Sequence, residues 1–539
     1  MDRVGRAFMT LKHIAIVGCG FTGTSAFYQL VDQYPVKEIT IFESTGEFGP
    51  GYPYRADDCR DYMLNNTNDS LCLVPGNRRA FLNWLETKPE YADKMDPRGH
   101  LPRQVFGEFL QEAFTAARLS AAVKGIKVTL VPHEATSMAE LPDGRVQIGC
   151  AKGHTTADAA LLTTGRCPDH DPYPSPLNGS GALYIANHIR TDAFDRIPYD
   201  ATVHVLGTSL SAYDVINRLF SSDTGARFVE NADGQLTFVP GRNDRHVVLC
   251  SRSGRLKALQ SRSPIRIDRQ HLTPEALTQV SGAGRVSLQH IQTAVLDEAS
   301  DHQVTLNTDA LLAPYEGCKT DEHVNERAGQ LLAKAIDDAS GTAGENFLVD
   351  LFSDAQIDLW DGWAGTVLSP DAQMHYRADI ESAFLSFFAP CPISTAQKLL
   401  ALHRAGRLTV RKDVRNVAFD QAEDCYRVTH AFGSDPAKVL VNTTGSVVRD
   451  VESADQPALV RSLAATGLLR KDERGLGASV DMKTFRSNGS RNIYVANMML
   501  WGPGFFTSSA FMMALVAERA LKAMFATETQ NTSSQLETA

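Results

Sequence analysis

A glycine-rich loop near the start of the chain has the residue types and the spacing that binding of a diphosphate requires. It reads Gly18-Cys19-Gly20-Phe21-Thr22-Gly23. In a Gly-x-Gly-x-x-Gly loop the first glycine permits a tight turn, the second lets the backbone approach the diphosphate, and the third lets a helix pack against a strand. Glu43 follows twenty residues after Gly23, where an acidic side chain accepts hydrogen bonds from ribose hydroxyls. The pattern predicts a dinucleotide site formed by Gly18, Gly20, Phe21, Thr22, Gly23, Glu43 and the adjacent Ser44.

The elements around this loop must place it between a strand and a helix. Residues 14–17 are apolar and predict a strand, residues 22–32 predict a helix, and the β-branched run 38–42 predicts the next strand. The helix N-terminus then offers unpaired N–H groups and a partial positive charge to an anion. A Gly-rich turn that binds nothing is the alternative, but it would not need the acid that ends the second strand.

A second, weaker loop of the same type begins near residue 207. An apolar strand over 202–206 leads into Gly207-Thr208-Ser209-Leu210-Ser211-Ala212, and the next predicted strand, 246–250, ends at Ser251-Arg252 with Arg255 beyond. Hydroxyl and guanidinium donors stand where an NAD site would place an acid, which favours NADP. We therefore assign Gly207, Thr208, Ser209, Leu210, Ser251, Arg252 and Arg255 to NADP. The long spacing requires a hairpin or loop insertion at 221–245, and a relic that binds nothing is the alternative.

Two later turns identify the nucleotide at the first loop. Thr163-Thr164-Gly165 and Thr443-Thr444-Gly445 each end an apolar strand, and they resemble the paired turns between the flavin and pyridine-nucleotide domains of two-dinucleotide-binding flavoproteins. Residues 492–506 resemble the last flavin motif of that class, in which a helix N-terminus faces the flavin ring and stabilises its reduced anion. The resemblance implies FAD at the first loop and adds Gly165, Gly504, Phe506 and Thr507 to its site.

Further segments carry a resemblance to one family. They are 46–54 (Gly-Glu-Phe-Gly-Pro-Gly-Tyr-Pro-Tyr), Met63-Leu64-Asn65-Asn66, Leu101-Pro102-Arg103 with Gly107-Glu108, 207–211, Ser251-Arg252, Pro392-Ile393-Ser394 and 399–402. With these the chain, from 14 to 524, resembles the bacterial FAD-NAD(P)-binding family, which is similar to N-hydroxylating and flavin-containing monooxygenases. The resemblance implies that Asn66 lies near the flavin ring and Arg103 near the diphosphate or ribityl region of FAD.

The predicted fold is α/β, with two dinucleotide-binding Rossmann-like domains and a discontinuous FAD domain. The FAD domain comprises 10–170 and 440–525, and the NAD(P) domain comprises 171–439 with a mainly helical insertion at about 256–405. The polar segment 526–539 predicts a disordered tail. Residues 492–517 carry no charge, but Gly502-Pro503-Gly504 interrupts them, which favours a buried strand (492–496) and helix (507–522) over a membrane span.

Composition limits the function classes. A net charge of −10 argues against nucleic-acid binding but allows a local basic pocket. Nine scattered cysteines without a Cys-x-x-Cys pair argue against a disulfide framework, a zinc site and a disulfide reductase, and Cys19 is interpreted as a small filler. His323, His375 and His403 lack ligand spacing, so no metal is expected. We expect a cytoplasmic protein, because the N-terminus lacks the apolar core of a signal peptide.

The flavin is expected to carry the chemistry, with Asn66, Phe505 and Phe506 as its candidate ring neighbours. The leading hypothesis is a monooxygenase with FAD and NADPH as cofactors and a small-molecule substrate and O₂ as partners. In it, hydride passes to flavin N5, and a C4a-(hydro)peroxyflavin oxygenates a small amine, amino acid or other soft nucleophile. The alternatives are a flavin oxidoreductase that inserts no oxygen and a non-catalytic flavin or nucleotide sensor. Aromatic residues such as Trp360, Trp363, Phe384, Phe387 and Phe388 are either water-excluding walls or ordinary core.

Overall fold

The computed structural model describes residues 11–533, except 177–178, 190, 283, 343, 365–367, 474, 476, 501–503 and 505–508. Its strands are β1 (His13–Val17), β2 (Glu38–Phe42), β3 (Lys127–Val131), β4 (Ala135–Glu140), β5 (Val146–Cys150), β6 (Gly153–Ala157), β7 (Ala159–Leu162), β8 (Leu183–Ile185), β9 (Thr202–Leu206), β10 (Arg227–Glu230), β11 (Leu236–Val239), β12 (His246–Cys250), β13 (Leu408–Arg411), β14 (Asn416–Asp420), β15 (Cys425–His430), β16 (Gly433–Ala437), β17 (Val439–Asn442) and β18 (Ile493–Val495).

The α-helices lie mostly between β12 and β13. They are α1 (Phe21–Gln33), α2 (Ala80–Glu86), α3 (Arg103–Val123), α4 (Leu210–Leu219), α5 (Pro274–Ser281), α6 (Leu288–Asp301), α7 (Thr308–Leu312), α8 (Asp321–Ser340), α9 (Phe347–Asp354), α10 (Gln356–Ala364), α11 (Pro370–His375), α12 (Glu381–Phe388), α13 (Ile393–Arg404), α14 (Ala458–Ala465) and α15 (Ala510–Ser533). None of these described helices is long and apolar enough to cross a membrane.

Two five-stranded parallel sheets form the frame of the molecule. The first has the order β18-β7-β1-β2-β3 and the second the order β13-β12-β9-β17-β8. A three-stranded antiparallel sheet is inserted into each: β4-β5-β6 lies between β3 and β7 of the first, and β14-β15-β16 lies between β13 and β17 of the second. Parallel strands need crossover connections, and here helices α1 and α4 supply them directly after the two glycine loops. The α/β fold with two Rossmann-like sheets is therefore confirmed.

The first sheet is discontinuous in sequence, because its edge strand β18 comes from the C-terminal part and pairs in parallel with β7. The chain returns to it after β17, which pairs with β8 and β9 of the second sheet. That strand runs to Asn442, so the second sheet ends slightly later than the predicted boundary at 439. The predicted insertion at 221–245 is the antiparallel hairpin of β10 and β11.

The helical insertion packs against both sheets. Its helices α5, α6, α9, α10 and α12 share the core of the first sheet, which contains the fully buried Trp360. Helices α8 and α13 share the core of the second sheet instead. The insertion therefore ties together the two halves whose relative position shapes the space between them.

The C-terminal helix differs from its sequence-based prediction at both ends. It begins at Ala510 and continues to Ser533, so 526–533 are helical where a disordered tail is predicted, and 534–539 lie outside the described residues. Ala520, Leu521 and Met524 are buried in the core of the first sheet. Once packing has fixed these turns of the helix, each further residue extends it at little free-energy cost. The polar composition of 526–533 does not reveal this extension.

Candidate nucleotide and substrate site

The first glycine loop is built so that only glycine fits at two of its positions. Gly18 has φ +100°, and a Cβ there would lie 2.5 Å from the carbonyl oxygen of Thr163. A Cβ on Gly23 would lie 2.1 Å from the carbonyl oxygen of Gly18, so Gly23 serves the packing of α1 onto β1. No acidic side chain lies in the first turn of α1, which leaves the partial positive charge of that helix end available to an anion.

The segment 46–54 covers this loop through a contact between two glycines. A Cβ on Gly51, which has φ +63°, would lie 2.8 Å from the Cα of Gly20. The end of this segment packs in the same way on α3. A Cβ on Gly107 of α3 would lie 2.0 Å from the carbonyl oxygen of Tyr54. Gly20 and Gly51 both line the cavity, so a ligand there would meet bare backbone.

Glu43 lies at the end of β2 and contacts the loop directly. One carboxylate oxygen accepts from the backbone N–H of Cys19 at 2.8 Å, and the other accepts from the N–H and hydroxyl of Thr45 at 3.0 and 2.9 Å. Oε2, which accepts only the Cys19 bond among the described groups, keeps a lone pair for a further donor, as a ribose hydroxyl would provide. Cys19 itself is fully buried, and burial raises the pKa of its thiol to about 12, which fits its interpretation as a filler.

The second loop repeats this construction. Gly207 has φ +131°, and a Cβ there would lie 2.4 Å from the hydroxyl oxygen of Thr443, which donates to the carbonyl of Leu206 at 2.7 Å. In the first half the hydroxyl of Thr163 donates to the carbonyls of Val17 and Gly18 at 3.1 and 2.6 Å. The repeated Thr-Thr-Gly turns thus brace the two glycine loops, one in each sheet.

Polar groups at the end of β12 face the second loop. The hydroxyls of Thr208 and Ser251 share a hydrogen bond of 3.1 Å. Arg252 is exposed and lines the cavity, and no ion pair or side-chain hydrogen bond engages it within the described part of the chain. Arg255 differs, because its guanidinium donates to the carbonyls of Leu311 and Leu312 at the end of α7. Arg252 is therefore the cation left available for a phosphate.

Both loops open into one cavity of about 1990 Å³. Single ligand pockets are typically about 300–1000 Å³, so the space suits two nucleotides together. Its described lining contains eight arginines and one lysine against six carboxylates, a basic surface in a chain of net charge −10. The predicted residues that line it are Gly18, Gly20, Phe21, Thr22, Glu43, Ser44, Asn66, Arg103, Gly165, Gly207, Thr208, Ser209, Leu210, Ser251, Arg252 and Arg255.

Three predicted residues fall outside the described part of the chain: Phe505, Phe506 and Thr507. Gly504 is described and buried, but it does not line the cavity; its carbonyl accepts from Arg377 at 2.6 Å. Phe21 lines the cavity while its ring, 8% exposed, packs 6.0 Å from that of Phe106. Its backbone at the helix start, rather than its ring, is what a ligand would meet.

Arg103, which is predicted to lie near FAD, lines the cavity and forms an ion pair there. Its guanidinium pairs with Asp214 of α4 at 2.8–2.9 Å and also donates to the carbonyl of Met63 at 3.1 Å. Both charged side chains are largely buried, at 17% and 14% exposure. Since Arg103 begins α3 of the first half and Asp214 belongs to the second, the pair is a bridge across the cavity that sequence spacing does not reveal.

The helical insertion contributes a polar wall that the sequence interpretation missed. A turn of π-helix over Tyr376–Ile380 carries Arg377, which pairs with Glu381 and lines the cavity with it. Such turns are frequent at functional sites. Lys257 and Ser386 line the same wall. No sequence pattern predicted these residues as part of the site. The aromatic residues of α12 that the sequence analysis considered lie on the other side of that helix.

Phe384 and Phe388 of that aromatic run stack on each other at 5.0 Å within the core of the first sheet, and Phe387 packs against the same core. They are core residues rather than cavity walls. His403 packs its ring against Gly329 and hydrogen-bonds the carbonyl of Asn325 at 2.9 Å, whereas His375 lines the cavity.

Two features of the cavity fit the two nucleotides implied by the sequence. Gly20 and Gly51 touch so closely that a side chain on Gly51 would not fit, and together they form a cradle of bare backbone on the cavity wall, as the close approach of a diphosphate requires. The uncompensated guanidinium of Arg252 beside the second loop suits a ribose phosphate. Gly18, Gly20, Glu43 and Ser44 would hold FAD, and Gly207, Thr208, Ser251 and Arg252 would hold NADP.

Comparison with known proteins bears on this assignment. Residues 15–167 match the model of a family described as FAD-NAD(P)-binding. This part of the chain is an FAD-NAD(P)-binding domain. Over these residues the resemblance noted from the sequence is confirmed. The uncharacterised protein YdhS of Escherichia coli (strain K12) is 26% identical over 288 residues, which span about half of this chain and half the length of that relative.

Three solved structures share the fold over almost the whole chain. The ornithine N-hydroxylase of Kutzneria sp. 744 is 14% identical with a TM-score of 0.52, covering 97% of this chain and 100% of its own. The cadaverine monooxygenase of Erwinia amylovora is 10% identical with a TM-score of 0.56, covering 96% and 95%. The L-lysine 6-monooxygenase of Pseudomonas syringae is 15% identical with a TM-score of 0.51, covering 96% and 99%. At these identities the likeness shows a shared fold.

Proposed function

We propose that the chain is an FAD-dependent, NADPH-using monooxygenase that oxygenates a small amine, an amino acid or another soft nucleophile. The observation that carries this proposal is that both glycine loops open into one cavity large enough for two nucleotides. A hydride donor and its acceptor must meet within one enclosed space, and separate pockets would not allow it. The ornithine, cadaverine and lysine named for the three structural neighbours support a substrate with an amino group.

The residues of the first half position the flavin nucleotide in this proposal. The N-terminus of α1 and the open backbone of Gly20 hold the diphosphate, and the carboxylate of Glu43, fixed by Cys19 and Thr45, accepts from the ribose. Bound FAD supplies hydride acceptance and oxygen activation. Asn66 lines the same cavity without a described hydrogen bond, and in this proposal it contacts the flavin ring.

The residues of the second half select and orient the coenzyme. The N-terminus of α4 and the linked hydroxyls of Thr208 and Ser251 face the phosphates. Arg252 supplies the charge that distinguishes NADPH from NADH, because only NADPH carries a 2′-phosphate. The Arg103–Asp214 bridge fixes the two halves relative to each other, so that the two nucleotides keep a constant separation.

The wall from the helical insertion excludes water and meets the substrate. It combines apolar groups, Leu385 and Ala389, with the Arg377–Glu381 pair. A wall of mixed character suits a small polar molecule better than a large apolar one. This is where a substrate with an amino group finds a carboxylate, Glu381, already held in position.

The test compares NADPH consumption with peroxide release in the purified yellow protein, with ornithine, lysine and cadaverine as trial amines. A substrate is expected to lower the peroxide released per NADPH and to yield an oxygenated product by mass spectrometry. Release of one peroxide for each NADPH consumed, with every amine, would favour an oxidoreductase that inserts no oxygen. A yellow protein that never consumes NADPH would instead favour a nucleotide sensor.

A further inference from the structure

A buried lysine lines the wall of the cavity without a described carboxylate beside it. Lys257 is 7% exposed, its ammonium donates to the carbonyl of Leu385, and its backbone N–H donates to the hydroxyl of Tyr213 at 3.0 Å. An ammonium has three donors, and the structure describes a partner for one of them. Buried charges in proteins are normally paired, because desolvation alone costs several kcal/mol.

The wall that carries Lys257 is held in place by backbone hydrogen bonds. The N–H of Ala258 donates to the carbonyl of Ser386 at 2.9 Å, and that of Cys391 donates to the carbonyl of Ala258 at 2.9 Å. Leu259 and Cys391 form a parallel β-bridge. Lys257 is therefore fixed between the end of α12 and the segment before α13, and its side chain reaches the cavity from a rigid support.

Two other largely buried cations on the cavity wall have counter-ions. Arg103 pairs with Asp214, and Arg377 pairs with Glu381. Among the described groups, the titratable side chain that interacts electrostatically with the Lys257 ammonium is the thiol of Cys391. Burial raises the pKa of that thiol to about 12, so it is neutral near pH 7 and supplies no negative charge.

We propose that Lys257 binds an anionic group of a ligand in this cavity, either a carboxylate of the substrate or a phosphate of the nucleotide. For the carboxylate this rests on the proposed function, and it narrows the substrate to molecules that carry an acid, such as an amino acid rather than a simple amine. An incoming anion would take the two donors that have no described partner and supply a counter-charge that the described residues do not. Burial lowers the pKa of Lys257 to about 8, so the side chain is still mostly cationic near pH 7.

The experiment measures binding in the purified full-length flavoprotein, without turnover. Wild type, Lys257→Met and Lys257→Gln are compared, with Lys37→Met as the control because Lys37 is exposed and remote from the cavity lining. One arm titrates NADP⁺ by calorimetry. The other arm measures the melting temperature in sodium acetate against sodium chloride of equal ionic strength, with NADP⁺ saturating so that the phosphate sites are filled.

If Lys257 binds a carboxylate, acetate is expected to raise the melting temperature of wild type and of the Lys37 variant but of neither Lys257 variant. The NADP⁺ affinity of the Lys257 variants should then differ from that of wild type by less than about twofold. A phosphate site predicts that both Lys257 variants bind NADP⁺ at least about tenfold more weakly, with no acetate effect once NADP⁺ is bound. If acetate and NADP⁺ act equally on wild type and on both Lys257 variants, the proposal is overturned. Neither binding measurement requires oxygen or NADPH oxidation. Its outcome therefore does not depend on whether the monooxygenase assay succeeds.

Discussion

Replacing Lys257 by methionine is expected to change how the stability of the protein depends on pH. The substitution keeps the length and apolar body of the side chain and removes its ammonium. In the folded protein that ammonium is 7% exposed and donates to the carbonyl of Leu385. Burial lowers its pKa from 10.5 to about 8, whereas in the unfolded chain water restores the ordinary value.

The size of the effect follows from this pKa difference. A shift of roughly 2.5 pH units corresponds to about 3 kcal/mol by which the folded state disfavours the charged lysine. Below pH 8 both states are protonated and the full penalty acts on wild type; between pH 8 and 10.5 the unfolded chain holds more protons, so the free energy of unfolding rises with pH. Against this, the variant loses the hydrogen bond to Leu385 at every pH, at a cost of about 1 kcal/mol.

The variant is therefore expected to be more stable than wild type by about 2 kcal/mol near pH 7 and slightly less stable near pH 10. Urea unfolding followed by tryptophan fluorescence at both pH values gives the difference between the two proteins, in which groups common to both cancel. Lys37→Met, at an exposed lysine, controls for loss of a surface charge. A variant-minus-wild-type difference that stays constant from pH 7 to pH 10 would refute the claim that the Lys257 charge is buried and uncompensated.

Three other substitutions test separate parts of the site. Gly51→Ala should lower the flavin-to-protein absorbance ratio, because its left-handed backbone costs an alanine about 1–2 kcal/mol and its Cβ would meet Gly20 at 2.8 Å; an unchanged ratio would contradict the cradle. Arg252→Ala should weaken NADPH binding by about 1–3 kcal/mol and leave NADH unaffected, so equal losses would count against a 2′-phosphate contact. Asp214→Asn should lower the free energy of unfolding in urea by about 3 kcal/mol, since Arg103 would lose a mostly buried partner; a loss under about 1 kcal/mol would show that the bridge is dispensable.

The sequence predicted those features that depend on local chemistry. The predicted strands 38–42, 202–206 and 246–250 have the same ends in the structure, because runs of β-branched residues bounded by glycine or polar turns define them. The glycine loops were recognisable for the same reason: positive φ at Gly18 and Gly207 admits few other residues.

The parts of the site that the sequence did not predict depend on contacts between distant segments. Asp214 meets Arg103 across 111 residues of chain, and no spacing rule connects them. Arg255 resembles a phosphate ligand in sequence, yet the carbonyls at the end of α7 occupy it. The sequence left open whether Phe384 is a cavity wall or a core residue, because packing against the first sheet decides which side of α12 faces the cavity.

The proposed function requires that the two nucleotides meet in one cavity. Anaerobic mixing of the purified yellow protein with NADPH tests this directly, because loss of the oxidised-flavin absorbance reports hydride arrival at the flavin. We expect complete bleaching with NADPH, and bleaching by NADH only at much higher concentration because NADH offers Arg252 no 2′-phosphate to bind. Tight binding of NADPH without any bleaching would contradict a shared cavity for the two nucleotides.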